Sequence, residues 1–261
     1  MFKYKITTII LALVLVGCSS DNKEEQLTDV NVLYKEASDA LSNDEYAVAS
    51  EKFEQLEREH PASQLAGQAQ VNRAYALYLD GKYDDAVMVI DEFVKQYPAH
   101  SVTPYMYYLK GLCYYDRILD VGRDQELSNK AIRTFGDLVN RFPNSKYARD
   151  AQLKIDYAYN MLAGKEMEIG RFYLNKGDLI AALGRFKDVV DKYQRTIFIT
   201  EALYRLTEIY YTLGDIEQAR VYASVLGYNH PDSSWYDRAY AIFAENRVDE
   251  PWYKKFTLSF W

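Results

Sequence analysis

The sequence predicts an all-α protein built from five copies of one helix pair. Five segments of the chain have an alanine at an equivalent position: Ala49, Ala86, Ala131, Ala182 and Ala219. In four of the five segments a proline follows this alanine twelve residues later. Bulky apolar residues stand four and seven places after the alanine, as in Phe53 and Leu56. Offsets of four and seven lie on one face of a helix, and proline cannot continue a helix. Each segment is therefore predicted to hold a helix that packs on its alanine face and ends just before the proline.

The five copies follow one another along the chain. They are "NDEYAVASEKFEQLEREHP", "DGKYDDAVMVIDEFVKQYP", "QELSNKAIRTFGDLVNRFP", "KGDLIAALGRFKDVVDKYQ" and "LGDIEQARVYASVLGYNHP". Gln194 takes the place of the proline in the fourth copy. Two residues past the proline position, four copies have Ser63, Ser145, Thr196 and Ser233. Serine and threonine are favoured N-caps, so these residues are predicted to begin the next helix.

The spacing between copies locates two insertions. Successive alanines are 37, 45, 51 and 37 residues apart. The first insertion falls in "DVGRDQELSN", between the two helices of the third copy. The second adds fourteen residues after Pro143, in a segment with no proline and with helical apolar spacing. Fourteen residues lengthen a helix by about 21 Å, so we expect one long helix between the third and fourth copies.

This pattern resembles the tetratricopeptide repeat, a helix pair with a period of 34 residues. The resemblance implies a superhelix of five helix pairs with a lengthened helix between repeats three and four. We expect an N-terminal lobe over 31–145, the long connecting helix over 146–170 and a C-terminal lobe over 171–232. A capping helix and an aromatic tail, "PWYKKFTLSFW", complete the chain over 233–261.

The N-terminus is predicted to be a lipoprotein signal peptide over 1–17. Lys3 and Lys5 precede an uncharged run of 12 residues, from Ile6 to Gly17, and a membrane-spanning helix needs about 20. The run ends in "LVGC", which fits the bacterial lipobox, so Cys18 is predicted to carry a diacylglycerol and an N-acyl chain. The mature chain would be anchored to a membrane through these chains, followed by a flexible linker over 18–30. No other cofactor is expected.

The charge of the chain excludes some partners. Without Lys3 and Lys5 the mature chain has 29 basic and 38 acidic residues, a net charge of −9. Such an acidic chain has no electrostatic footprint for nucleic acid or for anionic lipid headgroups. Membrane attachment is therefore expected to come from the acyl chains, each buried CH₂ contributing roughly 0.8 kcal/mol.

The whole chain is similar to the BamD family of outer-membrane β-barrel assembly lipoproteins. The lipobox, five repeats, the lengthened helix, "YYDRILDVGRDQ" and "RFPNSKYARDAQLK" carry the resemblance. It implies a lipid-anchored, non-enzymatic scaffold on the periplasmic face of a Gram-negative outer membrane. Ser19 after the cysteine agrees, because aspartate there would favour the inner membrane. The implied partners are the periplasmic POTRA domains of the central barrel subunit, accessory assembly lipoproteins and unfolded outer-membrane proteins.

Tyrosines are the candidate residues for a substrate groove, since the first helices of such repeats line a concave surface. A tyrosine offers apolar area together with a hydroxyl that tolerates water. In "TPYMYYLKGLCYY" three tyrosines share one helical face, and three more occupy equivalent faces of the first two repeats. The alternative is that each tyrosine belongs to the core between neighbouring helices. The six candidates are Tyr34, Tyr75, Tyr78, Tyr105, Tyr108 and Tyr115.

Arg185 is the candidate contact with the central subunit. It lies beside the apolar stripe of the fourth copy, and the resemblance implies an arginine at this place. The alternative is a solvated arginine that pairs weakly with Asp188 or Glu201.

The sequence contains no candidate catalytic or metal site. The three histidines, His60, His100 and His230, lie at repeat ends, too dispersed for a metal cluster. No phosphate loop, zinc spacing or nucleophile motif is present, so we predict that the chain is not an enzyme. A different function remains open at this point: a pilotin-like envelope lipoprotein that acts as an assembly chaperone with the same repeats.

Overall fold

A computed structural model describes residues 28–120 and 125–244, which form eleven α-helices. Consecutive helices pack against each other along the whole described chain, and α5 also contacts α3 and α7, as α11 contacts α9. The predicted all-α class is confirmed for these residues. The helices are α1 Val30–Ser42, α2 Tyr46–Glu59, α3 Ala66–Leu79, α4 Tyr83–Gln96, α5 Thr103–Tyr115, α6 Glu126–Arg141, α7 Ala148–Asn175, α8 Leu179–Lys192, α9 Ile199–Thr212, α10 Ile216–Asn229 and α11 Ser234–Ala244.

The repeat alanines lie at the centre of the packing. All five are fully buried: Ala49, Ala86, Ala131, Ala182 and Ala219. Four of them, Ala49, Ala86, Ala131 and Ala182, each belong to an apolar cluster that joins the second helix of a repeat to its neighbours, and a fifth cluster joins α9, α10 and α11. Five small cores in a row, each shared only by neighbouring helices, are the organisation of a tetratricopeptide array. This confirms the predicted fold class.

The turn from the first to the second helix of a repeat requires a left-handed residue. Gly81 and Gly177 have φ angles of 74° and 78°, a region that glycine enters without a steric penalty. Asp44 adopts φ 61° at the same place in the first repeat. The same turn recurs in the fifth repeat, where Gly214 has a φ of 86°, so in four repeats it ends the first helix and leads into the second.

The second helices end where the sequence predicts. α2, α4, α6 and α10 stop two residues before the proline, and α8 stops in the same register although Gln194 follows. In α8 the backbone N–H of Tyr193 still bonds to the carbonyl of Val189, as in the other copies. The apolar face of α8 is therefore sufficient to set where this helix ends, and a following proline is not required.

The predicted N-caps are wrong in three of four places. α3, α7 and α9 begin three residues after Ser63, Ser145 and Thr196, because a tight turn precedes each helix. The Ser63 hydroxyl accepts the Leu65 backbone N–H within that turn, 3.1 Å away. Only Ser233 directly precedes its helix, and its hydroxyl accepts the Trp235 N–H at 3.2 Å.

The long connecting helix is present as one unbroken α-helix. α7 has 28 residues, about 42 Å at 1.5 Å per residue. It begins at Ala148 and runs to Asn175, whereas the sequence suggested an end at residue 170. The difference arises because its C-terminal half also serves as the first helix of repeat four and continues to the turn at Gly177. One element therefore packs against α6 at one end and α8 at the other.

Three predictions fall outside the described residues. They are the signal peptide with Cys18, the linker up to residue 27 and the aromatic tail from residue 245. Within 28–120 and 125–244, no helix combines the length and the apolar character that a membrane crossing requires.

Candidate functional site

Three of the six candidate tyrosines join neighbouring first helices. The Tyr78 hydroxyl donates to the carboxylate of Asp116 at the end of α5, and the Tyr108 hydroxyl donates to Asp150 on α7, each at 2.5 Å. The Tyr34 hydroxyl accepts the amide N–H of Asn72 on α3 at 3.1 Å. These three side chains lie on the first helices of their repeats, and each hydrogen bond joins one first helix to the next.

The other three tyrosines are placed differently from one another. Tyr75 is the most open, with 36% of its surface exposed, and its ring stacks on Tyr78 at 6.4 Å. Tyr105 lies against Tyr147 of the α6–α7 turn, with ring centroids 5.6 Å apart. Tyr115 packs edge-on against both Phe135 and Tyr157, and the Lys154 ammonium lies 5.0 Å above its ring.

The structure brings Tyr105, Tyr108 and Tyr115 into one aromatic cluster with two residues that the sequence analysis missed. Tyr147 stacks on Tyr108 at 5.1 Å, and Tyr157 lies 5.4 Å from Tyr115. The position of Tyr147 in the repeat is a signal that the sequence offered. It stands four residues after Pro143, where Leu65, Val102 and Phe198 directly precede the next helix in the first, second and fourth repeats.

The phenol groups of Tyr78, Tyr105 and Tyr108 have raised pKa values and remain protonated. Burial raises the pKa of Tyr105, with smaller contributions from Tyr75 and Tyr147. Burial also raises the pKa of Tyr78 and Tyr108, and the carboxylates that accept their hydrogen bonds add to it. In return, the Tyr108 hydroxyl holds the pKa of Asp150 below its usual range, while partial burial opposes that shift. Neutral hydroxyls beside ionised carboxylates give this face hydrogen-bond donors as well as acceptors.

A cleft of about 570 Å³ opens between the beginnings of α3, α5 and α7. We call it the N-terminal cleft. Its wall combines the Tyr105 and Tyr147 rings with amide, hydroxyl and ammonium groups. A concave site with apolar walls and a few polar groups is the usual form of a binding pocket. The lining residues are Gln68, Val71, Asn72, Ser101, Val102, Pro104, Tyr105, Ser145, Lys146 and Tyr147.

Arg185 lies on α8, and its partner differs from the predicted ones. Its Nη1 donates to Oε2 of Glu166 on α7 at 3.0 Å, and this hydrogen bond raises the pKa of the guanidinium. Asp188 instead pairs with Lys192 at 2.8 Å. The arginine side chain is 40% exposed, so one edge is fixed by Glu166 while the group still reaches solvent.

Glu201, the other predicted partner of Arg185, belongs to a different ion pair. Arg171 on α7 binds it at two points, Nε to Oε1 at 2.9 Å and Nη2 to Oε2 at 2.5 Å. These hydrogen bonds lower the pKa of Glu201, although burial alone would raise it. The pairs of the alternative, Arg185 with Asp188 or with Glu201, are therefore not formed, because Glu166 on the neighbouring helix is the hydrogen-bond partner of Arg185.

Two of the histidines, His60 and His100, make hydrogen bonds to backbone groups at repeat ends. His60 Nε2 is 2.7 Å from the Thr28 carbonyl, and His100 Nδ1 accepts the Val102 N–H at 3.2 Å. In the part of the chain that the structure describes, no group of three or more histidine, cysteine or acidic side chains could hold a metal ion.

The fold and these surfaces define a helical-repeat scaffold whose exposed features suit binding. Residues 26–225 match the model of the YfiO family, described as outer membrane lipoprotein. This chain belongs to that family.

Curated relatives agree along almost the whole chain, and all three below are named outer membrane protein assembly factor BamD. The Rickettsia prowazekii relative is 43% identical over 90% of this chain and 94% of its own length. The Caulobacter vibrioides relative is 39% identical over 92% of this chain and 80% of its own. The Neisseria meningitidis serogroup A relative is 33% identical over 95% and 97%. The relatives are assembly factors.

Among solved structures, the chain matches a tetratricopeptide-repeat protein of Bacteroides fragilis. The two are 21% identical over 84% of this chain and 87% of that chain, with a TM-score of 0.41.

Proposed function

We propose that this protein is a lipid-anchored scaffold of the machine that inserts β-barrel proteins into the outer membrane. It would face the periplasm, held by the acyl chains on Cys18. Its C-terminal repeats would bind the periplasmic POTRA domains of the central barrel subunit, and its N-terminal repeats would bind segments of unfolded barrel proteins. Accessory assembly lipoproteins are further partners in this proposal. Family membership supports the assembly role, and the surfaces described above support the division of labour.

The observation that carries the substrate role is the aromatic and polar wall of the N-terminal cleft. Strands of outer-membrane barrels alternate apolar and polar side chains. An extended segment of that kind needs rings for one set of side chains and hydrogen-bonding groups for its backbone. Tyr105 and Tyr147 supply the rings, while Gln68, Asn72 and Ser101 supply the polar groups.

Blocking the mouth of the N-terminal cleft tests this role. Gln68 and Ser101 are exposed, so Gln68→Arg with Ser101→Arg fills the cleft without disturbing the core. We expect crosslinking to an unfolded barrel protein to fall severalfold, with an unchanged helical circular dichroism spectrum and melting temperature. Met88→Arg on α4, at a side chain 59% exposed and outside the cleft, is the charge control. Unchanged crosslinking in the double variant would refute the substrate role of this cleft.

The observation that carries the partner role is the half-exposed guanidinium of Arg185. Glu166 occupies Nη1, and the rest of the planar group can serve an incoming carboxylate. Because a charge reversal would also set two carboxylates against each other within this chain, Arg185→Gln is the cleaner variant. Lys187→Gln on the same helix is the matched control, since Lys187 is exposed and two residues away.

Calorimetry with the isolated periplasmic domains of the central subunit measures the effect. Losing one member of a buried interfacial charge pair costs roughly 2–5 kcal/mol, so affinity should fall about thirtyfold or more. Lys187→Gln should bind as the parent does. Equal binding by both variants would remove Arg185 from the interface.

A further inference from the structure

The C-terminal end of the array carries a second cleft, larger than the first. It has a volume of about 620 Å³ and runs between α10 and α11, next to the end of α9. We call it the C-terminal cleft. Two of its tyrosines are strongly exposed, Tyr228 at 88% and Tyr240 at 63%. Its aromatic wall consists of Tyr211, Tyr228, Tyr236, Tyr240 and Phe243, with Arg220 beside them.

The repeat period shows why these rings are uncovered. Residues of α11 stand 37 positions after their counterparts in α9, the same distance that separates Ala182 from Ala219. Leu203 of α9 is 1% exposed because Leu226 of the following helix α10 packs in its cluster. Its counterpart in α11 is Tyr240. In the described residues α11 is the last helix, so Tyr240 has no following helix to cover it.

The remaining 17 residues of the sequence begin directly at this cleft. Phe243 lines it, and Ala244 is the last described residue. Trp252 is eight positions after Ala244 in the sequence, and an extended chain spans at most about 26–29 Å over that separation. α10 is 14 residues long, about 21 Å, so the segment can reach every part of the cleft.

The chemistry of that segment matches the cleft. The sequence "PWYKKFTLSFW" over 251–261 holds five aromatic residues among eleven. Aromatic rings pair favourably in offset or edge-to-face geometry, as Tyr211 and Phe243 already do at 5.5 Å. Asp249 and Glu250, just before it, complement Arg220, whose guanidinium lies 5.9 Å from the Phe243 ring.

We propose that residues 251–261 bind in the C-terminal cleft of their own chain and close the end of the repeat array. A terminal repeat with an uncovered apolar face needs such a cap to remain soluble and monomeric. The bound segment covers Tyr228 and Tyr240. Without it, these exposed rings would be available to bind a second copy of the chain. The proposal concerns the end of the array and does not depend on the roles given to Arg185 or to the N-terminal cleft.

Photocrosslinking in the full mature chain tests it. A benzophenone-bearing amino acid replaces Tyr228, whose 88% exposure makes the change harmless to the core. We expect an intramolecular crosslink, identified by mass spectrometry, to a peptide within 251–261. The same probe at Val221, 52% exposed on α10 but not lining the cleft, is the control and should give little of this product.

A second variant keeps the result interpretable. Trp252→Ser, Phe256→Ser and Trp261→Ser together remove three of the five aromatic rings of the segment, including both tryptophans, without touching a described residue. With the probe at position 228, the intramolecular product should then be lost. A crosslinked dimer in the parent chain would show that a second copy fills the cleft and would overturn the proposal. A product elsewhere in the chain, no product above the Val221 control, or full yield in the triple variant would overturn it as well.

Discussion

Gly111 on α5 lies directly against the ring of Phe135 on α6. A methyl group added at Gly111 would come within 2.2 Å of a Phe135 ring carbon. Gly170 on α7 has the same relationship to Phe186 on α8, where the added methyl would stand 2.7 Å away. In both of these repeats, the third and the fourth, the phenylalanine is four places after the buried alanine. Close approach of the two helices therefore depends on a small residue in the first helix.

This relationship predicts the effect of Gly111→Ala. Alanine normally stabilises a helix by roughly 0.5–1 kcal/mol over glycine, but overpacking a core costs about 1–3 kcal/mol. We expect a net loss of stability in urea unfolding. Gly136→Ala in α6 is the matched control, because nothing lies within 4 Å of the added methyl, and it should gain stability. A gain in both variants would show that the helices can separate at no cost.

Glu57 predicts an unusual dependence of stability on pH. Burial raises the pKa of Glu57 from its ordinary 4.5 to about 7. Arg73 compensates poorly, since its Nη1 lies 3.4 Å from Glu57 while its Nη2 lies 2.8 Å from Glu54. Because the folded state binds the proton more tightly than the unfolded state, this group costs stability as the pH rises from 4.5 to 7.

Glu57→Gln should therefore stabilise the protein at pH 8 by about 1–2 kcal/mol and change it little near pH 4.5. Urea unfolding at the two pH values measures the difference. Glu54→Gln, at a side chain 52% exposed, is the control and should lack the pH-dependent gain. If Glu57→Gln destabilises the protein at pH 8, the ion pair with Arg73 outweighs the cost of burial.

The ion pair of Arg171 and Glu201 predicts a pH dependence of the opposite sign: its contribution to folding stability decreases as the pH is lowered. The lowered pKa of Glu201 means that its stabilisation is present above about pH 4.5 and is lost as the pH falls through the folded-state value. Arg171→Met should cost about 1–3 kcal/mol at pH 7, since hydrogen bonds to a charged group are lost. Arg205 remains as a weaker partner, 3.5 Å from Glu201.

The cost of Arg171→Met should shrink as the pH falls through the lowered folded-state pKa of Glu201, because the carboxyl group is then protonated in both states. Thermal unfolding over a pH series shows this directly. Lys187→Met, on an exposed side chain of α8, controls for the loss of one positive charge. A constant cost at every pH would mean that Arg171 acts through packing alone.

The lipobox predicts that the N-terminus is acylated at Cys18 and that the signal peptide is cleaved. Cys18→Ala should abolish incorporation of labelled palmitate and leave the signal peptide uncleaved, because the thiol is the acylation site of a lipobox. Membrane fractionation with labelled palmitate checks both effects. Cys113→Ala is the control, since that thiol is fully buried and its pKa is raised by burial to about 12. Label retained in Cys18→Ala would exclude the lipobox.

The sequence alone was sufficient for the repeat, the long helix and the insertion points. The reason is that the alanine–proline spacing and the apolar offsets are local properties of each copy. Ala49 and Phe53 occupy the same positions of the repeat as Ala182 and Phe186, and all four are buried. The burial pattern of one copy therefore predicts that of another. The end of α7 and the starts of α3, α7 and α9 were not predicted correctly, because the neighbouring turns set these positions and the helix sequence does not.

Only the tertiary structure decided which side chains meet across helices. Arg185 could have paired with Asp188 one turn away, yet Glu166 lies closer in space on α7. Likewise, the sequence could place Tyr78 and Tyr108 on a face but could not show that Asp116 and Asp150 hold their hydroxyls. Periodicity specifies the face on which a residue lies. The crossing of two helices specifies its neighbour, and that geometry arises from the packing of the whole array.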